Sequence, residues 1–444
     1  MQPNKNNYLL VFLGLLLYAC SPLKQISKSA ERDVLNADAL KTAHVGITVY
    51  DPATRKYIYD HQGDAYFVPA SNTKIPTCYA AMKYLGDSIV AARIFADKDG
   101  TVDVFPAGDP SFLHEEFSYQ PLLQHLRSGE RIHLFTDAWK SERWGNGWTW
   151  NDYDASYMAE RSMLPVFGNI VKFELVGKTL KTMPSGLPLT ASAEIGYDDQ
   201  NHTVSTNQFF IYRSIDDNDF QLRTASNEFR RVFIPLRTDV GYVSEILEDT
   251  LNIEVVPSTI ASGFKYPHSR QTIYSQPTDS LLKPMMHRSD NFFAEQSLMM
   301  VSNELLGLMN DARIIDTILK TDFRDLPQRP RWADGSGLSR YNLFTPQDFV
   351  AILDKMKNEF GMERIKEIFP TGNEGTLTNY YKTENGFIYA KTGTLSGVVA
   401  LSGFLYTKKN KLLLFSVLVN NHRASATDVR RAVEKFVQEV RVRY

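Results

Sequence analysis

Phe387-Ile388-Tyr389-Ala390-Lys391-Thr392-Gly393-Thr394 opens the part of the chain on which the fold turns. Residues 387–390 read as a strand, 398–406 as a second and 412–419 as a third, with Lys408-Lys409-Asn410-Lys411 as the turn between the last two. The spacing predicts an antiparallel meander. Beyond it, Val429, Val433, Phe436, Val437 and Val440 recur at helical spacing, so 428–442 is expected to close the chain as an amphipathic helix. The opposite end offers matching strands. Residues 45–50 and 56–59 flank the turn Asp51-Pro52-Ala53-Thr54 and predict a hairpin. Helices are expected at 71–85, 280–286, 291–308, 311–320 and 346–358. Strands at both ends with helices between them imply one sheet assembled from distant segments. The expected class is α/β of the α+β kind, an antiparallel sheet flanked by helices.

Residues 98–281 have another texture. Short β-like runs at 101–105, 132–135, 171–175 and 209–212 alternate with turns and aromatic residues. This stretch is expected to be a large, mostly β inserted region. The body is then discontinuous, 21–97 plus 282–444.

Composition narrows the function classes. The 444 residues are 43% hydrophobic and 23% charged, with a net charge of −2, so a globular chain without a nucleic-acid footprint is expected. The nine histidines show neither HExxH nor paired CxxC spacing, so no metal or other cofactor is expected. Only Cys20 and Cys78 exist, and Cys78 sits among apolar residues that favour a buried, unreactive thiol. At the N-terminus a short apolar run follows Lys5 and is too short to span a bilayer. It ends in Leu17-Tyr18-Ala19-Cys20, which resembles the lipobox of bacterial lipoproteins. That resemblance implies a signal peptide over 1–20, a lipid on Cys20 and a periplasmic protein anchored to a membrane. The alternative is an ordinary signal peptide with Cys20 incidental; both predict export.

Three short motifs carry chemistry. In Ser71-Asn72-Thr73-Lys74 the serine and lysine share a helix face, so an amine of lowered pKa could activate the hydroxyl. Three other SxxK matches begin at Ser21, Ser262 and Ser280, so spacing alone proves little. Ser71 stands out because Val68-Pro69-Ala70 precedes it and an apolar helix follows. Ser289-Asp290-Asn291 pairs a hydroxyl with an amide; it also suits a helix N-cap, with Glu295 supporting the start. Lys391-Thr392-Gly393 occurs once, at the end of a predicted strand, where Gly393 would let a substrate backbone approach and an edge could pair with a peptide. Read alone, it is equally a strand-to-turn junction. The order SxxK, S-D-N, K-T-G is the set of penicillin-binding proteins and class A β-lactamases.

Longer segments sharpen this. Pro69 to Lys74, Gly145-Asn146-Gly147-Trp148-Thr149-Trp150-Asn151-Asp152, Ser289 to Gln296, Asp334-Gly335-Ser336-Gly337-Leu338-Ser339-Arg340 and Ala390 to Val398 resemble the low-molecular-mass class C penicillin-binding proteins, the D-alanyl-D-alanine carboxypeptidase/endopeptidases. A gap of 218 positions between Ser71 and Ser289 fits their inserted domain, and no Glu-x-x-x-Asn follows Ser289 as in a class A β-lactamase. The resemblance implies a transpeptidase-like fold and peptidoglycan stem peptides as substrates. It implies Ser71 as nucleophile, Lys74 as candidate base, and Ser289 and Lys391 as a proton path, with the base role open between Lys74 and Ser289. Asn291 would hold the substrate amide. Backbone N–H groups of Ser71 and Thr394 would form an oxyanion hole, and Thr392 and Thr394 would bind a carboxylate. Asp152 and Tyr157 would meet a substrate amine, and Arg340 a carboxylate; a turn role for Asp152 and an ion pair for Arg340 stand beside these. β-Lactams would inhibit by acylating Ser71. A β-lactamase or esterase of the same fold, and a non-catalytic peptidoglycan-binding lipoprotein, remain the competing readings. Two departures from the family pattern are Pro76 inside the predicted helix and Ser396 where relatives carry a longer polar side chain.

Overall fold

The computed structural model describes residues 22–176, 179–187, 189–192, 209–224, 230–260 and 270–444. Cys20 and the predicted signal peptide lie outside them. The two ends of the chain do share a sheet. Its five antiparallel strands run in the order Ile388–Leu395, Val398–Tyr406, Leu412–Asn420, His44–Asp51, Lys56–His61. The middle strands are buried on both faces. Helices Pro22–Ala30 and Ala426–Arg443 cover one face, packing Ile26, Val433 and Phe436 against Ile47 and Leu401. Helices Lys74–Tyr84, Asn291–Leu306 and Pro346–Phe360 cover the other, where Ile75, Phe293 and Phe349 meet Phe404 and Leu418. Removing this much apolar surface from water is the main stabilising term.

Two local expectations change. The chain around Ser71 is not α-helical from the start: Ala70–Thr73 is a 3-10 turn and the α-helix begins at Lys74. Pro76 therefore falls in the first α-helical turn, where its missing N–H removes no intrahelical bond. The strand expected to stop at Ala390 runs on to Leu395, so Lys391-Thr392-Gly393 sits within an edge strand. Ser396-Gly397 then makes the two-residue turn between the paired Leu395 and Val398.

The segment between Tyr84 and Thr278 leaves and rejoins the body side by side. Strands Ser88–Ala96 and Gln271–Pro277 pair antiparallel, and Thr278 donates from its N–H to the Asp87 carbonyl and from its hydroxyl to that of Gly86. They belong to a five-stranded sheet that includes Thr101–Pro106, Arg131–Phe135 and Glu254–Ser258. Among the described residues, two three-stranded sheets complete the β part. The segment also carries helices Pro121–Leu126 and Val240–Leu251, which the sequence reading did not place.

Candidate active site

Ser71 lies in a turn held under constraint. Ala70 before it adopts φ +48°, a region that costs a non-glycine residue energy. Three bonds hold the turn. Asn72 N–H reaches the Pro69 carbonyl, the Thr73 hydroxyl donates to the Ala70 carbonyl at 2.9 Å, and the Asn72 amide donates to the Lys391 carbonyl at 2.9 Å. Two glycines let other backbones close in. A Cβ on Gly337, at φ +87°, would stand 1.9 Å from the Ala70 carbonyl oxygen. A Cβ on Gly393 would stand 2.7 Å from the Pro69 carbonyl oxygen and 3.1 Å from the Ser71 nitrogen. The side chain missing at Gly393 thus makes room for the chain's own Ser71 turn, a neighbour the sequence did not reveal.

Lys74 is fully buried, and its ammonium has three partners: Ser71 Oγ at 3.1 Å, Asn291 Oδ1 at 2.6 Å and the Ser336 carbonyl at 2.8 Å. Burial pulls its pKa from 10.5 down to about 8, against the opposing pull of Asp334, Asp290 and Glu295. Lys391, equally buried, donates to Ser289 Oγ at 2.8 Å and to the Thr392 carbonyl at 2.7 Å. Its pKa is held well below the ordinary lysine value by burial first and the nearby Lys74 charge second. Two lysines and two serines thus form adjoining pairs, Lys74–Ser71 and Lys391–Ser289. Asn291 joins the first pair from the start of its helix, and its amide donates to the Tyr157 carbonyl at 2.9 Å. The helix cap is Asp290, which accepts from Phe293 N–H at 2.9 Å. Ser289, at φ +64°, leaves its hydroxyl to Lys391.

Glu295 does not support the helix start. It turns inward, fully buried, accepts from Ser336 N–H at 2.7 Å and faces Arg161 at 3.4 Å. Arg161 in turn grips Asp311 at 2.7 Å and the carbonyls of Glu142 and Trp144. Burial pushes the Glu295 carboxyl up to about 7. Asp334 accepts from Gly337 N–H, Ser339 N–H, Asn342 and the Trp148 indole, all between 2.7 and 2.9 Å. These two carboxylates fix the 334–340 loop against the Ser71 turn. Arg161 went unread in the sequence, because nothing local marks a cation whose carboxylate partners lie more than a hundred positions away.

A cleft of about 470 Å³ opens over Ser71. Asn291, Thr394, Arg340, Asp152, Tyr157 and Trp148 all line it. Arg340 donates to the Ser396 carbonyl at 2.9 Å. Tyr157 is half exposed, and burial and its bond to Asp152 raise its hydroxyl pKa. Thr392 is placed elsewhere: its hydroxyl donates to Thr376 at 2.7 Å, away from this cleft. Among the described residues no cluster of histidine, cysteine or acidic side chains could hold a metal ion.

Residues 28–440 match the D-Ala-D-Ala carboxypeptidase 3 (S13) family. The D-alanyl-D-alanine carboxypeptidase DacB of Haemophilus influenzae is 24% identical over 89% of this chain and 89% of its own. The D-alanyl-D-alanine carboxypeptidase of an Actinomadura species is 27% identical over 88% and 80%. In fold, the crystal structure of penicillin binding protein 4 (dacB) from Haemophilus influenzae superposes with a TM-score of 0.71 at 21% identity, covering 93% of this chain and 97% of that one. A buried lysine beside a cleft-facing serine suits the acyl transfer this family performs, and the chain belongs to it: it is a D-Ala-D-Ala carboxypeptidase of the S13 family.

Proposed function

We propose that Ser71 is the nucleophile that cleaves D-Ala-D-Ala termini of peptidoglycan stem peptides, and D-Ala-diamino acid cross-links, through an acyl-enzyme. The observation that carries this is the 3.1 Å contact between Ser71 Oγ and a buried Lys74 amine whose pKa lies near 8. Neutral Lys74 takes the Ser71 proton as oxygen attacks the scissile carbonyl. Backbone N–H groups of Ser71 and Thr394 hold the oxyanion. The C–N bond breaks as Ser289, backed by Lys391, relays a proton to the leaving amine. Asn291 orients the acyl amide. Water then attacks the ester, and the proton path runs in reverse. Asp152 and Tyr157 receive a substrate amine at the outer wall, and Arg340 a more distant carboxylate. A β-lactam acylates Ser71 by the same route, but its amine stays tethered and obstructs water.

In this reading the body carries the chemistry and the inserted segment, expected over 98–281 and leaving and rejoining the body between Tyr84 and Thr278, carries the outer wall. Acting on peptidoglycan requires export. Among the described residues no helix is long and apolar enough to cross a membrane, and a lipid on Cys20 would supply the anchor. Labelling with a fluorescent penicillin tests the chemistry. A stable adduct lost in Ser71→Ala is expected; an adduct that survives in Ser71→Ala would move the nucleophile elsewhere. Fast turnover of the penicillin without a lasting adduct would favour a β-lactamase. For the anchor, labelled palmitate should enter the chain and fail to enter Cys20→Ala.

A further inference from the structure

We propose that a second cavity, beside the Ser71 cleft, holds the sugar end of the substrate: the N-acetylated pyranose from which a stem peptide hangs. This deepens the reading of Ser71 as the nucleophile and rests on it.

The cavity measures about 440 Å³, within the range of small-ligand sites, and lies between the insert and the body. It shares no lining residue with the Ser71 cleft, yet the two adjoin. Ser156 and Asp290 line the one, and their chain neighbours Tyr157 and Asn291 line the other. The Asn291 amide, bound to the Tyr157 carbonyl at 2.9 Å, forms the ridge between them. Substrate chemistry gives this neighbourhood a direction. The acyl half of the scissile bond runs back to the sugar that carries the stem. Asn291 orients the acyl amide, so the chain continuing past it heads for this ridge. A stem of four residues spans at most about 14 Å when extended, so the sugar must settle close to the cleft.

The walls suit a sugar. Strand Ile170–Val176 buries Val171 and Phe173 in the core of the insert and turns Ile170 and Lys172 the other way, into the cavity. Lys172 is in register with Phe233 on one side and Met183 on the other. The three side chains of this rung form a platform about 10 Å wide, two strand spacings. Phe233 and Met183 remain 37% and 40% exposed, large apolar groups left uncovered. The C–H face of a pyranose can stack there.

The rest of the lining is polar. Arg288 bridges Glu116 and Asp290, and Lys172 holds Glu115 at 3.1 Å. Both cations of the cavity are thus taken, and an anion would find no open partner. Among the described residues each glutamate is bound through one oxygen, which leaves the other to accept from a hydroxyl or an acetamido N–H. A neutral ligand with one apolar face and a rim of donors matches both parts of the lining.

The test measures cleavage of one D-Ala-D-Ala stem peptide by the full chain in two forms, free and carried on its N-acetylated disaccharide. The wild type should favour the sugar-bearing form about tenfold in kcat/KM, through KM, the size of one stacked ring. Phe233→Ala should erase that ratio, and Phe233→Trp, which keeps a flat face, should retain it. No preference in the wild type, a preference that survives Phe233→Ala, or an equal loss on both forms overturns the site. So does a Phe233-dependent preference for a sugar-free cross-linked peptide, which would give the cavity to a second stem. A folded wild type that cleaves neither form and takes no penicillin label overturns the Ser71 reading, and this one with it.

Discussion

The cleft has two walls of unlike construction. The body wall carries Ser71, Lys74, Ser289 and Lys391, with both lysines fully buried and bonded to serine oxygens. It is held by backbone approaching backbone, at Gly337 against Ala70 and at Gly393 against Pro69 and Ser71. The insert wall carries Trp148 in a loop and Asp152 and Tyr157 on short 3-10 turns, and Trp150 beside them is 72% exposed. It is tied to the body at Trp148, bound to Asp334, and at the Tyr157 carbonyl, bound by Asn291. Acyl transfer needs atoms placed within fractions of an ångström, and the body wall has that rigidity. Selecting a side chain tolerates a looser surface. The two walls should therefore fail differently when altered.

The sharpest break is Gly337→Ala. The new methyl would stand 1.9 Å from the Ala70 carbonyl at a φ that L-residues avoid, so the Ser71 turn or the loop must move. A displacement near 1 Å in a positioned nucleophile costs about a hundredfold in rate. Penicillin acylation, followed by stopped flow, should slow by about that factor or more, and thermal melting should fall as well. Near-normal acylation would mean that the body wall yields more easily than its contacts imply.

Next comes pH. Only a neutral amine can accept the Ser71 proton, and burial sets Lys74 near 8. Below that value the neutral fraction drops about tenfold per pH unit, so the acylation rate constant should rise with pH and level off above about 8. Glu295→Gln sharpens this. The Glu295 charge raises the Lys74 pKa, so its removal should move the inflection to lower pH while the Ser336 N–H keeps an acceptor. An inflection unmoved by the substitution would detach Lys74 from that step.

The same contrast governs what the sequence disclosed. Chain-local geometry was legible: Lys74 three residues after Ser71, the apolar runs of the meander, the period of the closing helix. Parity was lost where a strand was ended too early. With the strand running over Ile388–Leu395, side chains alternate, so Lys391 and Gly393 turn in toward the Ser71 turn while Thr392 and Thr394 turn toward Arg430. Stopping it at Ala390 hid that both threonines turn away from the buried lysine, and only tertiary packing separates them, Thr392 meeting Thr376 and Thr394 meeting Arg430. Glu295 was legible as a residue but misread in direction, since a capping box and a buried carboxylate start from the same letters. Arg161 and Asp311 lie 134 and 16 positions from Glu295, and no local pattern announces a buried ion group assembled by tertiary packing.

The smallest effect belongs to the insert wall. Asp152 is partly exposed and lines the cleft beside Tyr157, whose hydroxyl it holds. An ion pair formed there with a substrate amine is bathed in solvent and screened by salt, so it contributes under about 1 kcal/mol. Asp152→Asn keeps the shape and an acceptor oxygen but removes the charge. Cleavage of a stem peptide with a free side-chain amine should therefore fall about twofold to fivefold in kcat/KM, with the same peptide N-acetylated on that amine unaffected. The difference should shrink as salt is raised. Penicillin acylation, which makes no use of this wall, should keep its rate. A loss in penicillin acylation as large as that on the peptide would mean the two walls move together, because Trp148 couples the insert to Asp334 and through it to the turn that carries Ser71.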